Sequence, residues 1–138
     1  MSKKVLVVDD DPDVRMFNSA VVEEVGCTPL EASNGDDGLK IVKKEKPDLV
    51  ILDVMMPRKT GVRLYREMKT KKALKHIPII IVSGIAKNAF IRSLKAMAEF
   101  GHGAAPEPDI YISKPAEPEQ LAAAIHRMLQ TEGKSHSD

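Results

Sequence analysis

Four apolar residues, Val5 to Val8, run directly into Asp9, Asp10, Asp11 and Asp13. The chain repeats this device in milder form elsewhere. Leu49 to Leu52 ends on Asp53, Ile77 to Val82 ends on Ser83, and Lys114 comes just after Ile110 to Ile112. Carboxylates crowded into one cleft raise each other's proton affinity or call for a cation. Oxygen ligands suit a hard divalent ion, and Mg²⁺ in such a site keeps several of its waters. A carboxylate beside that ion can act as a nucleophile toward phosphorus, with the ion offsetting phosphoryl charge during in-line transfer. The Lys114 ammonium would neutralise one phosphoryl oxygen and the Ser83 hydroxyl would donate to another. Asp9, Asp10, Asp53, Ser83 and Lys114 therefore point to phosphorylation of a carboxylate, if the fold gathers them. Asp11 and Asp13 are set apart from that group: Asp11, followed by Pro12, reads as the cap of the next helix.

Gathering them requires short buried strands that all end on one edge. Val5–Val8, Leu49–Leu52, Ile77–Val82 and Ile110–Ile112 are continuous rather than alternating apolar runs, as in parallel strands covered on both faces. Cys27–Ala32 is a weaker strand whose Pro29 suits an edge. Between these runs the apolar period changes to that of a helix. Val14, Phe17, Val21, Val22 and Val25 share one face before Gly26, a natural stop. Further helices are predicted from about Asp36 to Lys44 and from about Thr60 to Lys69, then around Phe90, Leu94, Met97 and Ala98, and around Leu121, Ile125, Met128 and Leu129. The order is strand–helix repeated five times. Right-handed crossovers place the helices on both faces of one five-stranded parallel sheet, an α/β fold. Ligands in such sheets bind beyond the carboxyl ends of the strands, where the candidate residues lie.

Composition agrees with a single domain. The chain has 138 residues, 43% hydrophobic and 30% charged, with a formal net charge of +1. That balance gives no electrostatic reason to expect nucleic acid or an anionic membrane as partner. Cys27 is the single cysteine, which excludes a disulfide framework and suits a reducing compartment. No apolar run approaches the roughly 18–20 residues of a membrane span, and the N-terminus lacks a signal-peptide core. A cytoplasmic protein is expected. Residues 132–138 read as a polar tail behind a domain of residues 1–131. The scattered histidines and the basic run Lys69 to His76 read as solvated surface.

The pieces "LVVDDDPDVR", "PDLVILDVMMPRKTGV", "IPIIIVSG" and "IYISKPAEPEQL", in this order and spacing, resemble the receiver domain of bacterial two-component response regulators. The resemblance covers nearly the whole chain. It implies a flavodoxin-like (βα)5 fold with strand order 2-1-3-4-5. It also implies that Asp53 is the phosphoacceptor, and that Mg²⁺, with Mn²⁺ as the alternative, is held by Asp10, Asp9, Asp53 and the backbone carbonyl of Met55. Ser83 and Tyr111 would form a switch pair. The bond from Lys114 to Pro115 would be cis, and Gly61 would lie at a sharp turn. The implied partners are a sensor histidine kinase or histidine phosphotransfer protein and a downstream protein target. A homodimer through the fourth helix, fifth strand and fifth helix is also implied, with no direct nucleic-acid contact and no membrane insertion. Such a protein is a signalling phosphoacceptor rather than an enzyme, catalysing only its own phosphorylation and dephosphorylation.

Three places depart from that pattern. Met55 and Ile85 put apolar side chains where the family flanks the phosphoryl group, which would hinder water and lengthen the phosphorylated lifetime. Gly101 to Asp109 makes the passage to the fifth strand longer by about eight to ten residues, roughly two turns of helix. Ala116 stands where a bulky residue is usual. Two rivals fit less well. A haloacid-dehalogenase-type phosphatase wants an Asp-x-Asp-x-Thr-like motif and a cap, and a flavin binder wants a phosphate-cradling loop in place of acids.

Overall fold

The computed structural model describes the backbone of residues 2–137, and the side chains of all of these except His102 and 131–137. Five strands alternate with five main helices: β1 Lys4–Val8, α1 Pro12–Glu24, β2 Thr28–Ala32, α2 Gly35–Glu45, β3 Leu49–Leu52, α3 Thr60–Thr70, β4 Ile79–Ser83, α4 Lys87–Met97, β5 Ile110–Ser113 and α5 Pro118–Ser137. All pairings are parallel, in the order β2-β1-β3-β4-β5. The expected α/β architecture is the observed one.

Successive side chains of a strand point to opposite faces, and both faces here are apolar. Leu6 and Val8 of β1 pack with Val50, Leu52, Ile79 and Ile81 beneath Val42, Leu64, Tyr65, Met68, Phe90 and Leu94. Those residues come from α2, α3 and α4. Val5 and Val7 pack on the other side with Leu49, Ile51, Ile80, Val82 and Ile112, beneath Val21, Val22, Leu121, Ile125 and Met128 of α1 and α5. Each fully buried aliphatic or aromatic side chain contributes about 1.5–3 kcal/mol. Continuous apolar runs are thus the outcome of covering the sheet twice.

Helix α1 is tied at both ends by its own sequence. The Asp11 carboxylate accepts from the N–H groups of Asp13 and Val14, at 2.9 and 3.4 Å, with Pro12 in the first turn. At the other end Gly26 takes φ +88°. Its N–H reaches the carbonyl of Glu23 and that of Cys27 reaches Val22, a Schellman arrangement. Helix α2 is capped by Asn34, whose side chain accepts from Asp37 N–H at 2.8 Å. Helix α4 starts differently: Ala86 occupies its N-cap and supplies no side-chain bond.

Glycine matters at two contacts between elements. A Cβ at Gly35 would run into the carbonyl of Thr60, whose hydroxyl accepts from Gly35 N–H at 3.1 Å. A Cβ at Gly61 would run into the carbonyl of Asp53, so α3 begins against the backbone of the third strand's end. Between Asp53 and α3, Arg58 and Lys59 adopt φ values of 59° and 57° in a short 3₁₀ turn, Pro57–Lys59.

Several details differ from the sequence expectation. Strand β4 begins at Ile79 rather than Ile77, because Ile77 N–H is bonded to Leu74 in the preceding turn, and it extends to Ser83 by pairing with Ser113. Phe17 is 39% exposed, while Asn18 and Ser19 beside it are buried. Helix α5 continues to Ser137, through most of the segment expected as a polar tail. The side chains of residues 131–138 lie outside the described residues, as does the backbone of Asp138. From Gly103 to Asp109 the chain is irregular, after a π-type turn at Ala98–His102 that closes α4. No helix among the described residues is long and apolar enough to cross a membrane.

Candidate functional site

The ends of β1, β3, β4 and β5 form one cleft because the parallel pairing aligns them. Asp53 N–H donates to Val8 at 3.0 Å and Lys114 N–H donates to Ser83 at 3.0 Å, carrying the ladder past the last strand residues. Asp9 is 1% exposed, Asp53 4% and Ser83 0%. Asp9, Asp53 and Ser83, each the first residue beyond its apolar run, are thereby held at the cleft floor.

Within the cleft, Asp53 Oδ1 accepts from the Ser83 hydroxyl at 2.8 Å and from Met55 N–H at 2.9 Å. Its Oδ2 accepts from Lys114 Nζ at 2.9 Å, and the same ammonium lies 3.0 Å from Asp9 Oδ2. Lys114 therefore stands between two carboxylates that would otherwise repel. Asp9 Oδ1 accepts from Asp11 N–H at 2.9 Å, while its buried Oδ2 has the ammonium beside it but no hydrogen bond of good geometry. Burial raises the Asp9 carboxyl above the ordinary carboxylate range, against the pull of Asp11 N–H and Lys114. Burial pulls Lys114 down, but its bonds to Asp53 and Asp9 outweigh this and hold it above an ordinary lysine.

Asp10 is exposed on the mouth of the cleft. One carboxylate oxygen each from Asp9, Asp10 and Asp53 lies within 4.8 Å of the others, close enough for one ion to meet all three. The donors are all hard oxygens, one from each of three carboxylates, so this set fits a hard divalent cation. Tyr111 lies at the edge of the cleft, near Ser83 and Asp53: its hydroxyl donates to the carbonyl of Ile85, and its ring is 6.0 Å from that of Phe90. Burial raises the Tyr111 phenol above its usual range. The Lys114–Pro115 bond is cis.

A family model, the response regulator receiver domain, matches residues 5–126. The chain belongs to that family. This receiver is 37% identical over 133 residues to the probable C4-dicarboxylate response regulator DctR of Bacillus subtilis, covering 95% of this chain and 54% of that protein. It is 36% identical over 131 residues to the sensor kinase CckA of Brucella abortus, covering 94% of this chain and 13% of that protein. Among solved structures, a CheY-like receiver domain from Methanospirillum hungatei superposes with a TM-score of 0.78 at 25% identity, over 98% of this chain and 99% of that one. Of the regulator DctR the receiver spans about half the length, and of the kinase CckA a smaller part.

The cleft of this receiver unites Asp9, Asp10, Asp53, Ser83 and Lys114, and leaves Tyr111 one backbone carbonyl away. Two features have no sequence signal. The Arg15 guanidinium donates to the backbone carbonyl of Asp9 at 2.8 Å and pairs with Glu31 at 3.1 Å, which holds the peptide carrying Asp9. Lys114 bridges two acids where charge counting foresees one phosphoryl contact. Met55 is 59% exposed and Ile85 is half-buried, so both sit at the rim. Beside the cleft, Val14, Phe17, Asn18, Val82, Pro115 and Ala116 line a cavity of about 490 Å³ next to Lys114.

Proposed function

We propose that this receiver takes a phosphoryl group from a phosphohistidine, on a sensor histidine kinase or a phosphotransfer protein, onto Asp53. A carboxylate oxygen of Asp53 attacks phosphorus in line with the leaving imidazole nitrogen. The P–N bond breaks, its electron pair returns to the imidazole, and an acyl phosphate forms on Asp53. Asp9, Asp10, Asp53 and the Met55 carbonyl would hold Mg²⁺, or Mn²⁺ in its place, which when bound offsets charge on the phosphoryl oxygens. Lys114, already in contact with Asp53 Oδ2, moves its ammonium onto a phosphoryl oxygen. The Ser83 hydroxyl, now spent on Asp53 Oδ1, turns to another. Water later attacks phosphorus, the bond from phosphorus to the Asp53 oxygen breaks, and inorganic phosphate leaves the restored carboxylate.

The changed positions of Ser83 and Tyr111 are then read by a downstream protein. A homodimer through α4, β5 and α5 is a second use of the same face. Residues 1–131 would form the receiver, with 132–138 as an appendage. A cytoplasmic location fits this chemistry.

The observation that carries the reading is the meeting of Asp53 with Lys114 and Ser83, residues 61 and 30 positions away, inside an acid cluster able to hold a divalent ion. Incubation with Mg²⁺ and acetyl phosphate, followed by intact-mass measurement, tests it. One added phosphoryl group is expected in the native protein, and none in Asp53→Asn or after chelation of the metal. Addition to Asp53→Asn at the native level would refute the assignment.

A further inference from the structure

The segment from Gly101 to Asp109 does not hang free. After α4 it passes Gly101 and Gly103, both near φ +84°, and runs without regular structure to β5. Adjacent residues of α3 hold it by its backbone. The Tyr65 hydroxyl donates to the carbonyl of Pro106 at 2.6 Å, and the Arg66 guanidinium reaches the carbonyl of Gly103 at 3.4 Å. Ala105 packs on the core beneath α3 and α4, and Pro108 is buried. This is a strap fastened at defined points.

The fastening residue is also the far end of a line that begins at the acid cleft. Tyr65 is wholly buried, with its ring 5.2 Å from that of Phe90 at 83°, edge to face. Phe90, also wholly buried, contacts the ring of Tyr111 at 6.0 Å. The Tyr111 hydroxyl donates to Ile85, whose N–H lies 3.4 Å from the Ser83 hydroxyl, and that hydroxyl donates to Asp53. Each link is a hydrogen bond or a contact between rings, the Tyr65 and Phe90 rings wholly buried and that of Tyr111 half-buried, and a close-packed core offers little slack to absorb a displaced ring. Phe90 belongs to α4, the helix whose N-cap, Ala86, makes no side-chain bond, so the element in the middle of the line lacks a tether at its first turn.

We propose that the 101–109 strap is coupled to the state of Asp53 through Tyr111, Phe90 and Tyr65, so that filling the phosphoryl site loosens or tightens its attachment at Pro106. The inference rests on Asp53 as the phosphoacceptor. When Ser83 turns from Asp53 to a phosphoryl oxygen, Ile85 and Tyr111 must readjust, Phe90 follows the ring against which it packs, and Tyr65 carries the change to the strap. Coupling of this kind is reciprocal: whatever the phosphoryl site does to the strap, the strap does to binding at that site.

Backbone hydrogen exchange on the full chain, free and loaded with Mg²⁺ and beryllofluoride as a non-covalent phosphoryl substitute, tests this. In the native protein, exchange over 103–109 is expected to change about fivefold or more on loading, together with 83–85. Tyr65→Phe keeps the ring but deletes the donor. Its strap is expected to exchange about five- to tenfold faster in the free protein, the worth of one buried hydrogen bond. Its response to loading should disappear at 103–109 and persist at 83–85. Its apparent beryllofluoride affinity should shift severalfold, with the thermal transition confirming that it folds. A native protein that loads, responds at 83–85 and leaves 103–109 unchanged overturns the coupling alone, as does an unshifted beryllofluoride affinity in folded Tyr65→Phe. Failure to take up either beryllofluoride or a phosphoryl group overturns the phosphoacceptor reading and the coupling with it.

Discussion

Helices α1 and α4 both start just beyond strand ends that line the acid cleft, yet they are anchored in opposite ways. Asp11 caps α1, and a Schellman turn at Gly26 closes it. Arg15, on its first turns, holds the carbonyl of Asp9. Helix α4 begins at an uncapped Ala86, ends in a π-type turn and is followed by the strap. A metal site needs carboxylates held in fixed positions, because an ion bound by few protein ligands depends on their placement. A surface that reports a new charge needs the reverse, an element with low local stability. The contrast sets an acid side tied by caps against an α4 side with fewer ties, the one suited to report a new charge.

The most severe way to break this division is at its centre. Lys114→Ala leaves Asp9 and Asp53 facing each other without the ammonium between them. The rate of phosphorylation by acetyl phosphate, followed by mass, should fall about a hundredfold, as when one preorganised charge is removed from a transition state. A rate within twofold of native would mean that the ammonium serves the resting cleft alone.

The reporting side can be probed by alkali. Burial keeps the Tyr65 phenol protonated well above its ordinary pKa of 10.0. The unfolded chain loses that proton above pH 10 while the folded chain keeps it, so the stability contributed below pH 10 is lost as pH rises. Denaturant unfolding should show a fall of about 1.4 kcal/mol per pH unit above 10, and Tyr65→Phe should reduce that slope. Tyr111, Lys114 and Cys27, whose folded-state values are also raised, contribute to what remains. An identical slope in the variant would place the titrating group elsewhere.

At the rim between the two sides, replacing Met55 and Ile85 with polar residues should admit an ordered water. The phosphorylated form should then decay several times faster, timed by mass after removal of the donor. Unchanged or slower decay would count against the idea that these apolar groups shield the phosphoryl group. The caps give the smallest effects and compare the helices directly. Asp11→Ala should destabilise the fold by about 1 kcal/mol, whereas Ala86→Asp should stabilise it by a comparable or smaller amount, read as shifts of the urea midpoint. Equal and negligible shifts would erase the contrast.

Much of this is legible in the sequence itself. β1 and β3 announce themselves as apolar runs, because strands covered on both faces need no polar alternation, and the residue after each run falls at the cleft. That simple rule located Asp9, Asp53 and Ser83. The rule falters where burial follows from packing partners distant in sequence. Phe17 has the right period for a core position, yet it borders the cavity beside Ala116, and the buried places fall to Asn18 and Ser19. Tyr65 reads as ordinary core, and nothing near it reveals a hydroxyl bonded to a carbonyl 41 residues later. The bridge made by Lys114 was equally hidden, since charge type gives a partner class but not a position between two acids.

Gly61 sets a condition on all of this. The first turn of α3 rests against the peptide that carries Asp53, with room for a hydrogen and nothing larger. Asp53 is thus located from behind by an omission, and even alanine at 61 would push its carboxylate outward from its partners. Such a lesion would mimic loss of the acid itself while leaving every acid in place.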